Sequence, residues 1–597
     1  MKQSYRRTTS ADEVTTERTK AEDNSLRFQF ASLMVILIAA IVAVRLFFFM
    51  VVEHAWYVAM AEGTHEVSAQ LSPSRGRVFM RDSRSGEQFP FALNRDVFTV
   101  FIDTRPLDSE EKRDRVFEAL HETFHFNDEK KAIVSAQIQK EADPYEVIEQ
   151  KVDEATVDSL REKKIDGIGF VRVPVRYYPE KDVGAHVIGF VGKATDGTDI
   201  GRYGIEGYFE KELAGTGGFF QGLTGAKGDI ITLGNHTLEE PKDGADIVLT
   251  IDRTIQYKTC EYVYQGVVEH KAVSGAAVVM DPHTGAVLAL CSVPEFDPNS
   301  YNNVESPRVF NNTAIFQAYE PGSVFKAITM SAALNEKLVN PNTPFFDPGF
   351  VDGGCTKHIK NANEKKYGDV TMTGVMENSI NTGLVYVANL LGKDRLKKYI
   401  NDFGFGVKTG ITLDTEESGD ISTLSKNKGD KIDCYGSTAS FGQGITATPI
   451  QLASAYSAIA NGGTLYQPYV VDSITYADGA VEVTKPNPIK TVLTPSAAQL
   501  MSAMLVSVID NGHTSAARIP HYYVAGKTGT AQIAGPGGYS TETNHTFIGY
   551  APASDPKFVV LVKYEKPQRV FADSTAAPTF KKIATFLLDY YSIAPER

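Results

Sequence analysis

The segment Ser323-Val324-Phe325-Lys326 pairs a hydroxyl with an amine at a spacing that could support nucleophilic catalysis. Pro321 and Gly322 indicate a turn before it, and the apolar residues of Val324–Leu338 are spaced three or four apart, which predicts a helix. Ser323 therefore begins the helix, and Lys326 lies about one turn later on the same face. A lysine whose pKa is lowered by burial or by a second cation can accept the serine proton, so the pair predicts a nucleophile and its base.

Two later fragments carry side chains that could serve the same reaction. Ser379 and Asn381, within Glu377-Asn378-Ser379-Ile380-Asn381-Thr382-Gly383, place a hydroxyl and a carboxamide two residues apart on a predicted turn between helices. Lys527-Thr528-Gly529-Thr530 places a cation and two hydroxyls on a predicted strand, where Gly529 allows the backbone to approach a ligand closely. We therefore expect three distant segments to meet around one hydroxyl.

Each short motif also occurs elsewhere in the chain, and its context separates the copies. Ser109 and Lys112 repeat the Ser-x-x-Lys spacing, but their charged surroundings are typical of a helix start. Lys408-Thr409-Gly410 repeats Lys-Thr-Gly, but it follows Phe403-Gly404-Phe405-Gly406, which indicates a loop. The three fragments described first occur in order within one predicted domain, and that order favours a shared site.

In order, Ser323-x-x-Lys326, Ser379-x-Asn381 and Lys527-Thr528-Gly529-Thr530 resemble the three motifs of penicillin-binding proteins and serine β-lactamases. Upstream segments are similar to landmarks of the N-terminal pedestal of class B penicillin-binding proteins: Arg75-Gly76-Arg77, Arg176-x-Tyr178-Pro179, His186-Val187-Ile188-Gly189 and Gly204-Ile205-Glu206. Two further segments look more like the septal, division-specific type than the elongation type: Ser440-Phe441-Gly442-Gln443-Gly444 and Ala576-Ala577-Pro578-x-Phe580.

This resemblance implies a peptidoglycan D,D-transpeptidase that binds penicillin. Ser323 would attack the carbonyl between the two terminal D-alanines of a stem peptide, with Lys326 as base, and would release one D-alanine. The amine of a second strand would then resolve the acyl-enzyme as a cross-link. Backbone N–H groups of Ser323 and Thr530 would form the oxyanion hole. The resemblance implies no metal and no cofactor.

The resemblance also implies roles for the other motif residues. Ser379 would relay protons to the leaving amine, and Asn381 would hold the substrate amide. Lys527 would supply the positive field that keeps Lys326 partly neutral. The hydroxyls of the third motif would bind the substrate carboxylate, and the substrate-binding residues implied are Thr528, Gly529 and Thr530.

Two alternative classes of function, a hydrolase and a non-enzymatic binding protein, use the same residues. A D,D-carboxypeptidase or a β-lactamase would replace the acceptor amine by water, and a β-lactam sensor or division scaffold would need only to be acylated or bound. The long pedestal and the membrane anchor favour an enzyme that acts on the cell wall. By resemblance, the expected partners are stem peptides, β-lactam antibiotics as covalent inhibitors, a membrane glycan polymerase and other division proteins.

Length and composition exclude several other classes. The 597 residues exceed a single core and indicate two or three domains. A net charge of -13, with no basic patch interleaved with aromatic residues, argues against nucleic-acid binding. Glycine-rich phosphate loops are missing from the sequence. Four cysteines that lack Cys-x-x-Cys or zinc spacing are expected to be isolated thiols, with room for one disulfide: Cys260, Cys291, Cys355 and Cys434.

A nearly continuous apolar run over residues 28–52 predicts a tilted membrane span. Arg45 is off-centre, so its side chain can reach the interface. Six Lys and Arg residues precede the run, whereas residues 46–74 contain none, which predicts a cytoplasmic N-terminus and an extracytoplasmic remainder. The resemblance implies that this membrane is the bacterial plasma membrane. The run is too long for the apolar region of a cleaved signal peptide.

The predicted fold class is multidomain α+β. We expect a disordered tail over 1–27, the membrane helix over 28–52, an elongated pedestal or dimerisation domain over 53–245 and a transpeptidase domain over 246–597. Helical patterns in the pedestal cover Ser109–Phe126, Asp128–Ala142 and Tyr145–Lys164. In the last domain, predicted strands near residues 246–293 and 522–564 flank a helical block and imply one antiparallel sheet with helices packed against it. An amphipathic helix over 578–591 ends this domain.

Overall fold

The computed structural model describes residues 13–54, 66–141, 143–223, 237–426, 429–535 and 538–597. These residues form two compact units. One unit comprises the described part of residues 1–72 together with that of 217–241, and the other comprises 73–216 together with 242–597.

The first unit contains an N-terminal helix and a small antiparallel sheet. The helix Glu13–Phe47 continues as a π-helical turn over Phe48–Val52. The sheet places strand Gly218–Leu223 between Glu66–Leu71 and Thr237–Glu239. Within the described residues, Phe30–Val52 is the segment that is long and apolar enough to cross a membrane, with 23 residues and a mean hydropathy of 3.0. The structure thus confirms an apolar helix of membrane-spanning length.

The predicted disordered tail over residues 1–27 is wrong for its second half. Residues 13–27 are helical and continuous with the apolar helix, whereas residues 1–12 lie outside the described part of the chain. Extending an existing helix adds one hydrogen bond per residue without a new nucleation cost. The Glu, Lys, Arg and Ala residues of this stretch also favour the helical state.

A seven-stranded sheet runs through the second unit. Strand Asp246–Asp252 pairs antiparallel with Val471–Thr475 on one side and parallel with Val78–Arg81 on the other. The strands, in spatial order, are Val481–Val483, Val471–Thr475, Asp246–Asp252, Val78–Arg81, Gln88–Ile102 and Glu146–Val152, with Ile168–Tyr177 paired to Gln88–Ile102. Residues on both sides of position 245 therefore contribute to one sheet.

The prediction of one helix over Tyr145–Lys164 is wrong for its first half. The structure has a strand over Glu146–Val152 and a helix only from Glu154 to Glu162. The strand pairs with Gln88–Ile102 and buries Ile148 and Val152, so cross-strand packing outweighs the helix propensity of its Glu and Lys residues. The other helices of residues 73–216 are Glu110–Phe124, Asp128–Ile138, Ala185–Ile188, Gly204–Tyr208 and Glu210–Ala214, and Phe190–Lys193 pairs with Asp199–Arg202.

A five-stranded antiparallel sheet positions the candidate site. It confirms the predicted sheet of distant segments for residues 274–293 and 525–565, whereas the predicted strand at Asp246–Asp252 belongs to the seven-stranded sheet instead. Its strands are β1 (Ser274–Met280), β2 (Val287–Val293), β3 (Ala525–Gly535), β4 (Gly538–Ala551) and β5 (Phe558–Glu565). Their spatial order is β2-β1-β5-β4-β3, so β3 lies at an edge. Every residue of β1 and β2 is buried, as expected for strands covered on both faces.

Helices pack on both faces of this sheet, either directly or against other helices of the same layer. They are α1 (Arg253–His270), α2 (Lys326–Asn335), α3 (Met372–Glu377), α4 (Asn381–Leu391), α5 (Pro449–Ala460), α6 (Pro495–Asp510) and α7 (Ala576–Tyr590). Alternate residues of β1 face opposite sides: Ala277 and Val279 pack in the cluster that contains α1 and α7, whereas Ala276 and Val278 pack with α2 and α5. The helix predicted at the end of this domain is confirmed by α7.

Further helices lie between the elements already described. Thr313–Phe316 precedes the segment that contains Ser323, and Lys393–Asp402 and Cys434–Ala439 lie between α4 and α5. Two small hairpins precede α3 and α4 and pair Pro344–Asp347 with Gly368–Thr371 and Phe350–Val351 with Ile359–Lys360. A third pair joins Thr464–Tyr466 to Pro488–Thr491.

The expectation of isolated thiols is wrong, because all four cysteines are paired. Cys260 of α1 is bonded to Cys291 of β2, with Cα atoms 5.3 Å apart. Cys355, which lies between the strands of the second small hairpin, is bonded to Cys434, with Cα atoms 4.6 Å apart. The partners are 31 and 79 residues apart in sequence, so only the tertiary fold brings them together.

Candidate active site

Ser323 lies in a 3-10 turn, Gly322–Phe325, that leads directly into α2. Gly322 adopts a φ of +58° and donates its N–H to the carbonyl of Gly442 at 2.9 Å. A Cβ on Gly442, whose φ is +83°, would lie 2.2 Å from the Gly322 carbonyl, so glycine is needed where these two loops meet. The sequence prediction of a serine at a helix start is confirmed.

The Lys326 amine is directed toward the second motif. Its Nζ donates to the Ser379 carbonyl at 2.6 Å, to Ser379 Oγ at 3.1 Å and to Asn381 Oδ1 at 2.7 Å. A protonated lysine has three N–H donors, so these contacts use all of them. Only the neutral amine has a lone pair with which to accept a proton from Ser323.

Burial and a second cation both favour that neutral state. The side chains of Lys326 and Lys527 are almost completely buried. Burial lowers the pKa of Lys326 well below its usual value, and the positive charge of Lys527 lowers it further. Burial also lowers the pKa of Lys527 to about 8. In the described part of the chain, no carboxylate forms an ion pair with either amine.

The second motif lies on the connection between α3 and α4. Ser379 has a φ of +53°, a backbone conformation that is uncommon for a residue with a side chain and is frequent at functional sites. Asn381 begins α4, and its Nδ2 donates to the carbonyl of Lys360 at 2.9 Å. The carboxamide of Asn381 therefore has one end on Lys326 and the other on Lys360, which fixes its orientation.

The third motif lies on the edge strand β3, against the loop of Ser323. A Cβ on Gly529 would lie 2.8 Å from the Pro321 carbonyl, so glycine allows the strand to approach this closely. Thr530 Oγ1 accepts from the Ala572 N–H at 3.1 Å, and Thr528 Oγ1 lies 3.5 Å from Thr514 Oγ1. The edge position leaves one side of the β3 backbone available to an extended substrate.

Three features of the site carried no signal in the sequence motifs. These are the Lys360 carbonyl on Asn381, Thr514 beside Thr528, and Gly442 behind the nucleophile loop. Gly442 belongs to the segment Ser440–Gly444, whose sequence indicates only the subtype. The other two lie 21 and 14 residues from their partners, so they depend on tertiary packing.

The repeated motifs have structural roles instead. Ser109 caps the helix Glu110–Phe124, because its side chain accepts from the Lys112 N–H. The Thr409 hydroxyl donates to Glu416 at 2.5 Å in a loop. The arrangement around Ser323 combines a hydroxyl, two buried amines and an open strand edge, and these groups suit acyl transfer.

Two protein families match this chain. Residues 275–585 match the family described as penicillin binding protein transpeptidase domain. Residues 70–249 match the family described as penicillin-binding protein dimerisation domain.

Individual proteins extend the similarity to almost the whole chain. Stage V sporulation protein D of Bacillus subtilis is 32% identical over 587 residues, which cover 96% of this chain and 86% of that protein. Peptidoglycan D,D-transpeptidase FtsI of Escherichia coli K12 is 31% identical over 452 residues, which cover 75% of this chain and 72% of that protein. The crystal structure of penicillin binding protein 2X from Streptococcus thermophilus shares the fold, with a TM-score of 0.73 and 21% identity over 88% of this chain and 80% of that one.

Proposed function

We infer the function from the premise that this chain belongs to the class B penicillin-binding proteins. It is a peptidoglycan D,D-transpeptidase of the serine acyl-enzyme type, and its catalytic domain binds penicillin. Its N-terminal apolar helix anchors it to a membrane. The proposal concerns which residues carry out the reaction and where in the cell it takes place.

In the acylation step, Ser323 Oγ attacks the carbonyl carbon of the penultimate D-alanine. Its proton passes to the neutral Lys326 amine, and the C–N bond to the terminal D-alanine breaks. Ser379, whose Oγ lies 3.1 Å from Lys326 Nζ, returns a proton to the leaving amine. The products are free D-alanine and an ester on Ser323. A β-lactam follows the same course up to the ester, and its opened ring stays attached.

In the transfer step, the amine of a second stem peptide attacks the ester carbonyl. The C–O bond to Ser323 breaks, the serine regains a proton through Lys326, and an amide cross-link forms. Backbone N–H groups of Ser323 and Thr530 hold the oxyanion in both steps, which contributes about 3 to 4 kcal/mol per donor in other enzymes.

The third motif binds the donor peptide. The hydroxyls of Thr528 and Thr530 donate hydrogen bonds to the terminal carboxylate, and Gly529 lets the peptide lie along the edge of β3. Lys527 attracts the carboxylate and keeps the pKa of Lys326 low. Asn381 holds the substrate amide next to the reacting carbonyl.

One observation supports these roles above the others: Lys326 is fully buried, lacks a carboxylate partner within the described residues, and donates to Ser379 and Asn381. A lysine with only a structural role is normally paired with an acid when it is buried. An amine held this way is suited to exchange a proton at neutral pH.

Labelling with a fluorescent penicillin tests the assignment of the nucleophile. We expect Ser323→Ala to abolish labelling and mass spectrometry to find the adduct on the peptide that contains Ser323. Ser109→Ala is the matched control, since Ser109 has the same Ser-x-x-Lys spacing but only caps a helix. It should label normally after losing about 1 kcal/mol of stability. Full labelling of Ser323→Ala would place the nucleophile elsewhere.

The acceptor of the acyl group distinguishes a transpeptidase, which uses an amine, from a D,D-carboxypeptidase or a β-lactamase, which uses water. Purified wall precursors should give cross-linked product together with free D-alanine. Free D-alanine without cross-links would indicate a carboxypeptidase, and rapid release of the opened penicillin would indicate a β-lactamase.

We further propose a septal role for this transpeptidase. Ser440–Gly444 and Ala576–Phe580 resemble the division-specific type, and FtsI and the sporulation protein are similar over most of this chain. The expected partners are a membrane glycan polymerase and other division proteins. A fluorescent fusion that localises along the side wall would favour the elongation alternative.

We also propose the membrane orientation and the domain limits. The excess of Lys and Arg before residue 28 supports a cytoplasmic N-terminus and an extracytoplasmic catalytic domain. We place the pedestal at 53–245 and the transpeptidase domain at 246–597. Protease added to spheroplasts should digest the transpeptidase domain and leave an N-terminal tag intact.

A further inference from the structure

A buried carboxylate lies two side chains away from the second motif. Asp347 ends the strand Pro344–Asp347 and has no solvent-exposed surface. Its Oδ1 accepts from Thr382 Oγ1 at 2.6 Å and from the Gly349 N–H at 3.0 Å. Its Oδ2 accepts from Asn361 Nδ2 at 2.8 Å and from the Tyr367 N–H at 2.9 Å. All four donors are neutral.

These four hydrogen bonds keep Asp347 ionised. Burial acts to raise the pKa of its carboxyl group, but the bonds from Thr382, Gly349, Tyr367 and Asn361 outweigh burial, and the net pKa is lowered. A carboxylate can only accept hydrogen bonds, so it dictates which way each neighbouring donor points.

Asn361 transmits this constraint. Its Nδ2 donates to Asp347 and to the Lys365 carbonyl at 3.0 Å, and its Oδ1 therefore faces the Thr382 N–H at 3.2 Å. Thr382 is the second residue of α4 and also donates its hydroxyl to Asp347. Asp347 thus fixes the first turn of α4 through both the main chain and the side chain of Thr382.

Both ends of the Asn381 carboxamide depend on this arrangement. Asn381 precedes Thr382, and its Nδ2 donates to the carbonyl of Lys360, which precedes Asn361. Its Oδ1 accepts from Lys326 at 2.7 Å. A rotation of the carboxamide would place an N–H against the Lys326 amine.

We propose that Asp347 is a positioning residue of the transpeptidase, which acts through Asn361 and Thr382 to orient Asn381 toward Lys326. This inference rests on the proposed roles of Ser323 and Lys326. Because an accepting oxygen stabilises the protonated amine, loss of the oriented Asn381 oxygen should let Lys326 release its proton more easily. A lower rate and a shifted pH profile should therefore appear together.

The test uses the full-length chain in detergent and measures the second-order rate of acylation by a fluorescent penicillin as a function of pH. Asp347→Asn replaces one acceptor oxygen by a donor, which faces the N–H groups of Asn361 and Tyr367. We expect the maximal rate to fall about 10- to 100-fold, as is typical when a reacting group is slightly misplaced. We also expect the acidic limb of the profile to move to lower pH.

Thr382→Val is the second variant, in case Asp347→Asn fails to fold. It keeps the shape of a buried side chain and removes a single hydrogen bond to Asp347. We expect changes in the same direction as for Asp347→Asn, but smaller in size.

Glu416→Gln is the matched control. Glu416 is a buried carboxylate that also accepts from neutral donors, Thr409 and Gly410, outside the three motifs. It should lose comparable stability and keep the parental rate and pH profile. The proposal is overturned if folded Asp347→Asn and Thr382→Val show the parental profile, or if Glu416→Gln shifts it equally. An unmodified Ser323 in the acylated parent chain would instead overturn the proposed function.

Discussion

The pedestal and the active site both bury charged side chains, but they compensate these charges differently. In the pedestal, Glu206 is fully buried between two arginines, with Arg75 Nε donating at 2.7 Å and Arg176 Nε donating at 2.7 Å. Tyr178 adds a hydroxyl at 3.3 Å. Arg75 also forms an ion pair with Glu210 at 2.7 Å, so two anions balance two cations. Burial acts to raise the pKa of Glu206, but the two arginines outweigh it and keep the pKa low. This cluster remains charged at neutral pH.

In the active site, two lysine amines are buried and no anion accompanies them within the described residues. Lys326 and Lys527 are hydrogen-bonded to neutral oxygens only, and both have lowered pKa values. A balanced buried cluster holds its protons across the physiological range and serves architecture. An unbalanced one holds its protons weakly, and this property is what proton transfer to and from a serine requires.

Lys326→Met should have the largest effect in this comparison. It removes the amine and retains an apolar chain of similar length, so the buried site stays filled. We expect the acylation rate to fall about 10⁴-fold, the upper end of what a general base contributes, while the melting temperature holds or rises. Stopped-flow penicillin binding and thermal unfolding measure the two quantities. A large loss of stability would mean that Lys326 has a structural role like that of Glu206.

Glu206→Gln should show the opposite pattern. Removing the anion leaves Arg176 without a carboxylate partner and Arg75 with Glu210 alone, and breaking a buried pair of this kind costs about 3 to 5 kcal/mol of folding free energy in comparable clusters. The acylation rate per folded molecule should stay at the parental value. Urea unfolding and active-site titration separate the two effects. A slower rate in fully folded protein would show that the pedestal is coupled to the catalytic site.

Lys527→Met should have the next largest effect on the acylation rate. Its amine contacts the Thr528 carbonyl at 3.2 Å and acts on Lys326 through its charge. We expect the acylation rate to fall about 100-fold, because substrate attraction and the field on Lys326 are lost together. The acidic limb of the remaining activity should move to higher pH, because without a neighbouring cation the pKa of Lys326 rises. If the acidic limb stays at the parental pH, the charge of Lys527 does not act on the pKa of Lys326.

The pH dependence of the parental enzyme should show a smaller effect of the same charge. Since Lys527 loses its proton near its pKa of about 8, the acylation rate should decline above that pH. Lys527→Arg keeps a charge at all accessible pH values, so its decline should begin at a higher pH even if the maximum is lower. Identical alkaline limbs for the parent and Lys527→Arg would assign the decline to another group.

The sequence predicted those features of the site that follow from local periodicity. Helical spacing placed Lys326 one turn after Ser323, and strand alternation placed Lys527 on a strand, as observed. The direction of the Lys326 amine was not predictable in this way. The amine donates to the carbonyl of Ser379, a residue with a positive φ on the connection between α3 and α4, and local periodicity does not indicate that conformation.

Long-range pairing also lay beyond local patterns. The strand over Glu146–Val152 reads as a helix by composition and becomes a strand because Gln88–Ile102 offers it an edge. Cys355 and Cys434 have no spacing signal and meet only in the folded domain. The role of Asp347 was likewise not predictable from local patterns, because its four donors come from four separate positions along the chain.

Lys563→Met should have the smallest effect and gives the strictest control for Lys527. Lys563 lies on β5 of the same sheet, is also buried, and has a pKa that burial lowers to about 8, with Glu565 acting in the opposite direction. Its amine donates to Gln317 Oε1 at 2.7 Å and lies 4.5 Å from the centre of the Tyr319 ring.

None of these contacts of Lys563 involves a residue of the three motifs. We therefore expect acylation by fluorescent penicillin to stay within about threefold of the parental rate, with an unchanged pH profile. Parallel assays of Lys563→Met and Lys527→Met would separate burial from position. Equal losses in the two variants would mean that a buried lysine anywhere in this sheet supports the rate, and the unbalanced pair at Ser323 would then lose its special role.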